Sequence, residues 1–361
     1  MLGDARIRAD AAQFRGNQII GSAGAAFATE DDEVDVGEAG ATGLRRLHVP
    51  AALSGERLDK ALARLMPDVS RSRIQQWIEA GAVLVDGQAR RARDPVAAAA
   101  AIDVVPPPAP QSTAMLPEAM PLAIVHEDAD LIVLDKPPGL VVHPGAGNWS
   151  GTLLNGLLAH DRALAQLPRA GIVHRLDADT SGLMVVARSL AAHVDLVRQL
   201  QERTVTREYW AVVHGRTAAG GTIEAALARD PRNPVRFRVS RAASARSART
   251  HWRCIAHAEA ASWLACRLDT GRTHQIRVHL ESIGHPLVGD PVYRRGAPRL
   301  QADIAGWRGF ARQALHACRL ALLHPRSGAP LSFFRAPPAD MRALMRELGF
   351  KRTTRPSEVF A

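Results

Sequence analysis

Charged residues at the end of an apolar run make the stretch Gly171–Met184 (GIVHRLDADTSGLM) the part of the chain best suited to chemistry. The apolar pair Ile172-Val173 predicts a buried strand that runs directly into His174, Arg175 and Asp177. Charges at such a junction are costly to desolvate unless they pair with one another or take part in a reaction. Asp177 is therefore a candidate catalytic carboxylate, and a structural ion pair with an arginine is the alternative.

Two hydrolytic chemistries are alternatives that the sequence allows us to compare. Asp179, in the polar turn before the apolar run Leu183–Ala187, could supply the second of the two carboxylates that a glycoside hydrolase or nucleosidase uses. Metal-assisted hydrolysis is disfavoured, because His274 and His279 are five residues apart and not four, as on a zinc-binding helix. The chain also lacks the glycine-rich GxxxxGKS or GxxxxGKT loop that binds nucleotide phosphates.

The net charge of +10 is unevenly distributed along the 361 residues. Residues 1–43 carry three Arg and eight Asp or Glu, a net charge of −5, so the remainder carries +15. A basic body suits a polyanionic partner such as nucleic acid, although the excess of Arg over Lys also fits a compositional bias. Three Cys without a CxxC pattern predict no disulfide framework, no apolar run is long enough for a bilayer, and we expect a cytoplasmic protein.

Composition divides the chain into five segments. We expect a disordered acidic tail at 1–43, a small compact unit at 44–105 and a proline-rich linker at 106–119. A large domain at 120–350 and a basic tail at 351–361 follow.

The small unit has the pattern of two short helices followed by a hairpin. Leu58, Leu62 and Leu65 share one helical face, and Ser70 is a candidate N-cap for a second helix that ends at Gly81. The Asp-Gly pair within Val83–Gln88 predicts a tight hairpin turn. These features resemble the S4 RNA-binding module, which implies that Arg71 and Arg73 contact RNA, and a solvated basic surface is the alternative.

The large domain is predicted to be α+β. Strands are predicted at Leu122–Val125, Leu131–Asp135 and Tyr209–Val213, and helices at Leu153–His160 and Leu190–Leu200.

The motif HRLDxxTSG around Asp177 resembles the signature of the RluA family of RNA pseudouridine synthases, whose catalytic residue is the Asp of HRLD. Two further stretches, REYWAVVHG and LDTGRTHQIR, match motifs of the same family. The resemblance implies that Arg277 pairs with Asp177 and that Tyr209 packs against the target base and takes part in removal of its C5 proton. Arg207 stands where the family usually has Lys.

The resemblance also implies supporting roles for neighbouring residues. Arg175 would fill the gap in the RNA stack when the uridine flips out, since chemistry on a stacked base requires its extrusion. His174 would order the loop, and Arg272 would contact RNA. The stretches DKPPG, HPGAG, HPLVGDPVY and RQALHA fit the family as well, so that matches extend from Leu58 to about Met341.

The implied fold is the α+β pseudouridine synthase fold, a mixed and largely antiparallel sheet with flanking helices and a central cleft, preceded by an S4 domain. The implied reaction isomerises uridines in RNA, and in 23S rRNA in particular, because His143–His160 resembles the family member that acts there. It needs no metal, redox cofactor or nucleotide, and we expect a monomer. Other rRNA or tRNA uridines, or a non-catalytic ribosome-assembly factor, are the alternatives.

Overall fold

The computed structural model of the protein describes residues 43–107, 114–145, 147–295 and 310–350. The tails predicted at 1–43 and 351–361 lie outside the described residues, apart from Gly43, and so does the middle of the predicted linker.

The small unit pairs two helices with a four-stranded antiparallel sheet. Its elements are β1 (Arg45–His48), α1 (Leu58–Leu65), α2 (Arg71–Glu79), β2 (Val83–Val85), β3 (Gln88–Ala89) and β4 (Ala101–Val104), with sheet order β1-β4-β2-β3. The Ser70 side chain accepts a hydrogen bond from the Arg73 backbone N–H, as the predicted N-cap requires. Asp86 and Gly87 both adopt positive φ at the predicted hairpin turn. Leu58, Leu62 and Ile74 are fully buried in a core that this unit builds from its own residues.

A nine-stranded sheet forms the centre of the large domain. Its strands are β5 (Ile124–Glu127), β6 (Leu131–Lys136), β7 (Ser181–Ala187), β8 (Thr206–His214), β9 (Gly220–Glu224), β12 (Arg249–His257), β13 (Ala261–Leu268), β14 (Leu315–Leu323) and β15 (Pro330–Phe334); β10 (Leu227–Asp230) and β11 (Asn233–Val239) form a separate hairpin. The helices are α3 (Leu153–His160), α4 (Leu190–Gln201), α5 (Gln275–Ser282) and α6 (Ala339–Glu347), with short 3-10 segments at Ala51–Leu53, Arg162–Gln166 and Pro168–Gly171.

The sheet has the order β5-β6-β7-β14-β8-β13-β12-β9, and β15 also pairs with β14. Only the short β7–β14 pairing is parallel, so the sheet is mixed and largely antiparallel, as expected. Gly182 lies at this pairing with φ +117, and a Cβ there would approach the Ala317 carbonyl oxygen to 2.2 Å. Only glycine therefore allows the two central strands to come this close.

The two faces of the sheet bury different helices, as the period-two alternation of the strands requires. Along β8, Tyr209, Ala211 and Val213 face a core shared with α3 and α5, whereas Trp210 and Val212 face a core shared with α6. The face that carries Tyr209 is therefore the face against which α5 packs.

The strand predicted at Ile172-Val173 is wrong. Ile172 makes only an isolated bridge to Val186, and residues 173–177 are an irregular loop that leads into β7. Ile172 is buried as expected, with 3% of its surface exposed. Its side chain packs against the sheet, although its backbone is not part of a strand. The other predicted helices and strands are confirmed to within a few residues at their ends.

Candidate active site

Asp177 and Arg277 form an ion pair across 100 residues of sequence. Asp177 lies in the loop before β7, and Arg277 lies in the first turn of α5 with its side chain 6% exposed. Arg277 Nη1 donates to Asp177 Oδ2 at 3.0 Å. The pairing that the resemblance implied is thus present in the structure.

The surroundings of Asp177 favour its ionised form. Burial alone would raise the pKa of this carboxyl, but the electrostatic interaction with His274 and the positive charges of Arg277 and Arg175, with the hydrogen bond from Arg277, outweigh burial and hold the pKa below its ordinary value. Asp177 is therefore a carboxylate at neutral pH, which is the form that a nucleophile or base requires.

A second carboxylate, Asp290, fixes Arg277 from the opposite side. Arg277 Nε and Nη2 donate to its two oxygens at 2.7 and 3.0 Å, and the Asp290 side chain is fully buried. Burial alone would lower the pKa of Arg277, but these bonds and both carboxylates raise it. Asp290 belongs to the HPLVGDPVY stretch, for which the sequence predicted no separate role.

His274 approaches Asp177 from a third direction. Its backbone is in the left-handed region, with φ 54°, and its Nε2 lies 4.0 Å from Asp177 Oδ1. The other ring nitrogen, Nδ1, lies 2.9 Å from the Tyr293 hydroxyl, which accepts a hydrogen bond from the Phe237 backbone N–H. Because that hydroxyl keeps its own proton to donate, the assigned arrangement is a neutral His274 whose Nε2–H faces Asp177.

Tyr209 lies on β8, on the sheet face that packs against α5, and is 5% exposed. Burial raises the pKa of Tyr209 to about 12, an effect that the charge of Arg207 opposes and that of Asp177 reinforces. The phenol is therefore neutral at physiological pH. It can offer a flat apolar ring and a hydroxyl, while Asp177 is the ionised base in its vicinity.

Lys136, at the end of β6, ties the Asp177 loop to the neighbouring DKPPG loop. Its fully buried Nζ donates to the carbonyl oxygens of Pro137, Leu140 and Ala178 at 2.8, 2.9 and 2.7 Å. Burial lowers the pKa of Lys136 to about 7, and the charge of Asp177 opposes that shift. Three acceptors use all three donors of an ammonium group, so the position of Ala178, adjacent to Asp177, is strongly constrained.

The turn that follows Asp177 is held by the RQALHA stretch. Arg312 Nη1 donates to the Asp179 carbonyl oxygen at 3.0 Å, and Gln313 Nε2 donates to Thr180 Oγ1 at 3.3 Å. His316 Nδ1 lies 3.0 Å from Ser181 Oγ. A function for this stretch therefore follows from the structure: it positions the turn.

The remaining predicted residues of the large domain lie in the Asp177 loop and just before α5. His174 Nε2 accepts a hydrogen bond from the Val185 backbone N–H at 3.0 Å, which joins the Asp177 loop to β7. Arg175 is exposed on the same loop, and Arg272, just before α5, donates to the Ser247 carbonyl oxygen at 3.4 Å.

Arg71 and Arg73 lie on α2 of the small unit. Arg71 donates to the buried carboxylate of Asp59, with its Nη2 at 2.7 Å, and Arg57 and Gln75 bind the same carboxylate. Arg71 thus has a structural partner, and with its side chain 44% exposed it also presents a surface to a ligand.

Among the described residues, one cluster brings three possible metal ligands together: Asp128, Asp130 and His324. His324 Nδ1 accepts from the backbone N–H of Arg326 and Ser327, which places its proton on Nε2, facing Asp128 at 3.2 Å. Binding a metal through Nε2 would move that proton to Nδ1, where it would face the two backbone N–H donors. This cluster has the hydrogen bonds of a structural ion-pair network.

Comparisons with known proteins find two family matches in the chain. A model of the RNA pseudouridylate synthase family matches residues 130–282, and a model of the S4 domain matches residues 56–100. The solved structure of human RNA pseudouridylate synthase domain containing 1 aligns with a TM-score of 0.50 at 24% identity, over 65% of this chain and 91% of that chain. That likeness shows the fold.

Curated relatives are similar over most of the chain. Ribosomal large subunit pseudouridine synthase D of Nitrosomonas europaea is 50% identical, over 84% of this chain and 87% of its own. Proteins of the same name from Neisseria meningitidis serogroup A and Escherichia coli O157:H7 are 50% and 45% identical, over 80% and 94% of their lengths. The chain belongs to the RNA pseudouridylate synthase family. It is an isomerase that converts uridine in RNA to pseudouridine.

No helix among the described residues is long and apolar enough to cross a membrane.

Proposed function

We propose that this enzyme isomerises specific uridines of 23S rRNA in the large ribosomal subunit. The names of its relatives, which are 45–50% identical, support this substrate. The pairing of Arg277 Nη1 with Asp177 Oδ2 at 3.0 Å is the observation on which the catalytic assignment depends. It supplies an ionised, oriented carboxylate beside a buried tyrosine.

In the proposed mechanism, Asp177 is the catalytic carboxylate and Arg277 keeps it ionised and oriented. Breaking the C1′–N1 bond frees the uracil, which rotates and forms a new bond from C5 to C1′; C5 then loses its proton and N1 gains one. Asp177 can attack C1′, attack C6 or remove a ribose proton to give a glycal. The neutral ring of Tyr209 packs against the base during these steps.

RNA binding is assigned to the basic surface of both domains. We assign residues 44–105 to the S4 domain, which contributes Arg71 and Arg73, and residues 120–350 to the catalytic domain, which contributes Arg175 and Arg272. Arg175 fills the space vacated by the flipped uridine, and His174 orders the loop around it. We also propose that the enzyme acts as a monomer in the cytoplasm and uses neither a metal nor a nucleotide. The isomerisation is redox-neutral, so it needs no redox cofactor.

Mapping pseudouridines in the rRNA of a strain that lacks this gene tests the proposed substrate. We expect one or more 23S positions to revert to uridine and to be restored by the wild-type gene but not by Asp177→Asn. Loss of pseudouridine only from tRNA or from other rRNA would assign the enzyme to a different substrate. An unchanged map together with a defect in subunit assembly would favour a non-catalytic role.

A further inference from the structure

Three arginines among the described residues are at least nine-tenths buried: Arg207, Arg277 and Arg312. Arg277 is held by two carboxylates, and Arg312 by the two oxygens of Asp340 at 2.7 and 3.0 Å. Arg207 is different. It is 8% exposed, and its buried Nε has no hydrogen-bond partner among the described residues.

Arg207 lies within the candidate active site. It precedes Tyr209 by two positions on β8, so the two side chains emerge on the same face of the sheet. Its Nη1 would lie only 2.8 Å from a Cβ on Gly271, so the absence of a side chain there makes room for the guanidinium. Burial, and then the charge of Arg207, lower the pKa of His174 to about 3. The cation thus lies among Tyr209, Gly271 and the base of the Asp177 loop.

The charge of Asp269 favours the Arg207 cation, but the buried Nε still has no hydrogen-bond partner among the described residues, which is unfavourable in the free enzyme. A guanidinium N–H without a protein acceptor stabilises an anion that arrives beside it more strongly than a fully bonded arginine would, because no protein group already accepts its hydrogen bond. The candidate reaction generates that anion. When the C1′–N1 bond breaks, its electron pair leaves with the uracil, and the negative charge is shared by the ring oxygens O2 and O4.

We propose that Arg207 is a catalytic residue that donates an N–H to a carbonyl oxygen of the uracil and stabilises the negative charge as the glycosidic bond breaks. The charge is discharged when C5 forms the new bond to C1′, C5 loses its proton and N1 gains one, so the step is redox-neutral. This inference rests on the proposed roles of Asp177 and Tyr209. It adds a cation for the leaving base to the carboxylate that acts near the ribose.

The test compares Arg207→Met and Arg207→Lys with wild type in single-turnover assays at saturating 23S rRNA fragment. Loss of one such donor should slow Arg207→Met by about 100-fold to 1,000-fold, and Arg207→Lys should keep most of the rate. The dissociation constant for RNA and its salt dependence should not change. Arg198→Met, which removes an exposed arginine of α4 that pairs with Asp195 and Glu202, is the charge-matched control and should match wild type.

Thermal unfolding separates catalysis from structural support. Because the buried Nε of Arg207 has no hydrogen-bond partner among the described residues, Arg207→Met should unfold at the wild-type temperature or above it. A clearly lower unfolding temperature with a proportionate loss of activity would assign Arg207 to the fold and overturn the proposal.

Sulfur substitution identifies the contacted oxygen. RNA with 2-thiouridine or 4-thiouridine at the target position should slow wild type, since sulfur accepts hydrogen bonds poorly, and one of the two effects should be much smaller in Arg207→Met. Equal effects in both enzymes would overturn the proposal. A weaker RNA affinity with a salt slope reduced by about one unit, at an unchanged saturating rate, would identify a phosphate contact instead. If wild type itself left 23S rRNA unmodified, the proposed substrate would fail and not the assignment of Arg207.

Discussion

Asp290 binds Arg277 through two hydrogen bonds, at 2.7 and 3.0 Å, and Nη1 of the same guanidinium donates to Asp177. Oδ1 of Asp290 also accepts from the backbone N–H groups of Val292 and Tyr293, so this carboxylate is itself held in place. Arg277 therefore meets Asp177 with its plane and position already set, and it needs no reorganisation when substrate binds.

Arg277→Lys should lose far more activity than a charge-conserving substitution usually does. A lysine ammonium keeps the charge but cannot bind two carboxylates through a planar fork. We expect the single-turnover rate at saturating RNA to fall by about 100-fold, with RNA affinity nearly unchanged. Unimpaired turnover, or a loss confined to affinity, would show that Arg277 serves RNA binding and not Asp177.

Asp290→Asn should slow the reaction although Asp290 does not touch Asp177. The amide places a donor against the guanidinium, which loses its fixed orientation, and displacements of this kind cost roughly 10-fold to 100-fold in rate. The matched control is Asp103→Asn, which breaks the bidentate pair with Arg46 in the small unit. Equal rates for wild type and Asp290→Asn, measured as single turnovers with a folded protein, would contradict the positioning role.

Local signals were sufficient to predict most secondary structure. The helix predicted at Leu153–His160 has those bounds in the structure, because Thr152 forms a capping box with Asn155 ahead of an apolar run. Ile172 was misassigned to a strand because two apolar residues indicate burial but not the pairing that defines a strand.

The site itself was only partly predictable from the sequence. Motif resemblance identified Asp177, Tyr209 and Arg277, whereas spacing alone could not, since the ion pair joins residues 100 positions apart. Asp290 gave no local signal, because its role depends on how the segment after α5 returns to Arg277. That the buried Nε of Arg207 has no hydrogen-bond partner among the described residues is likewise visible only in the three-dimensional structure.

Neither Asp177 nor Tyr209 should titrate between about pH 6.5 and about pH 9, so a change in the single-turnover rate near pH 7 would report Lys136, whose pKa burial lowers to about 7. Asp177 is active when ionised, and its pKa lies below the ordinary value, so its protonation limits the rate only in strong acid. Burial raises the pKa of Tyr209 to about 12, so the phenol stays neutral across the same range. A rate that rises between pH 8 and 10 would instead indicate a titrating Tyr209 phenolate.

Deleting residues 1–110 should weaken RNA binding and preserve chemistry. The small unit has a core of its own, centred on Leu58, Ile74 and Ile102, and residues 44–105 carry ten Arg or Lys against seven acidic residues. The truncated protein should bind rRNA more weakly, with a shallower salt dependence, at a similar saturating single-turnover rate. Unchanged affinity and slope would show that the unit does not bind RNA, and a lost saturating rate would show that it helps to form the active site.

The most direct test of the account is the release of tritium from rRNA labelled at C5 of uridine, measured for wild type and Asp177→Asn. Asparagine keeps the size and shape of the side chain but removes the charge that acts on the nucleotide. We expect the rate to fall by about 10,000-fold or more, the upper range for loss of a catalytic acid or base, with RNA affinity nearly unchanged because many arginines contribute to it. Release near the wild-type rate from the purified variant would contradict the assignment of Asp177 as the catalytic residue.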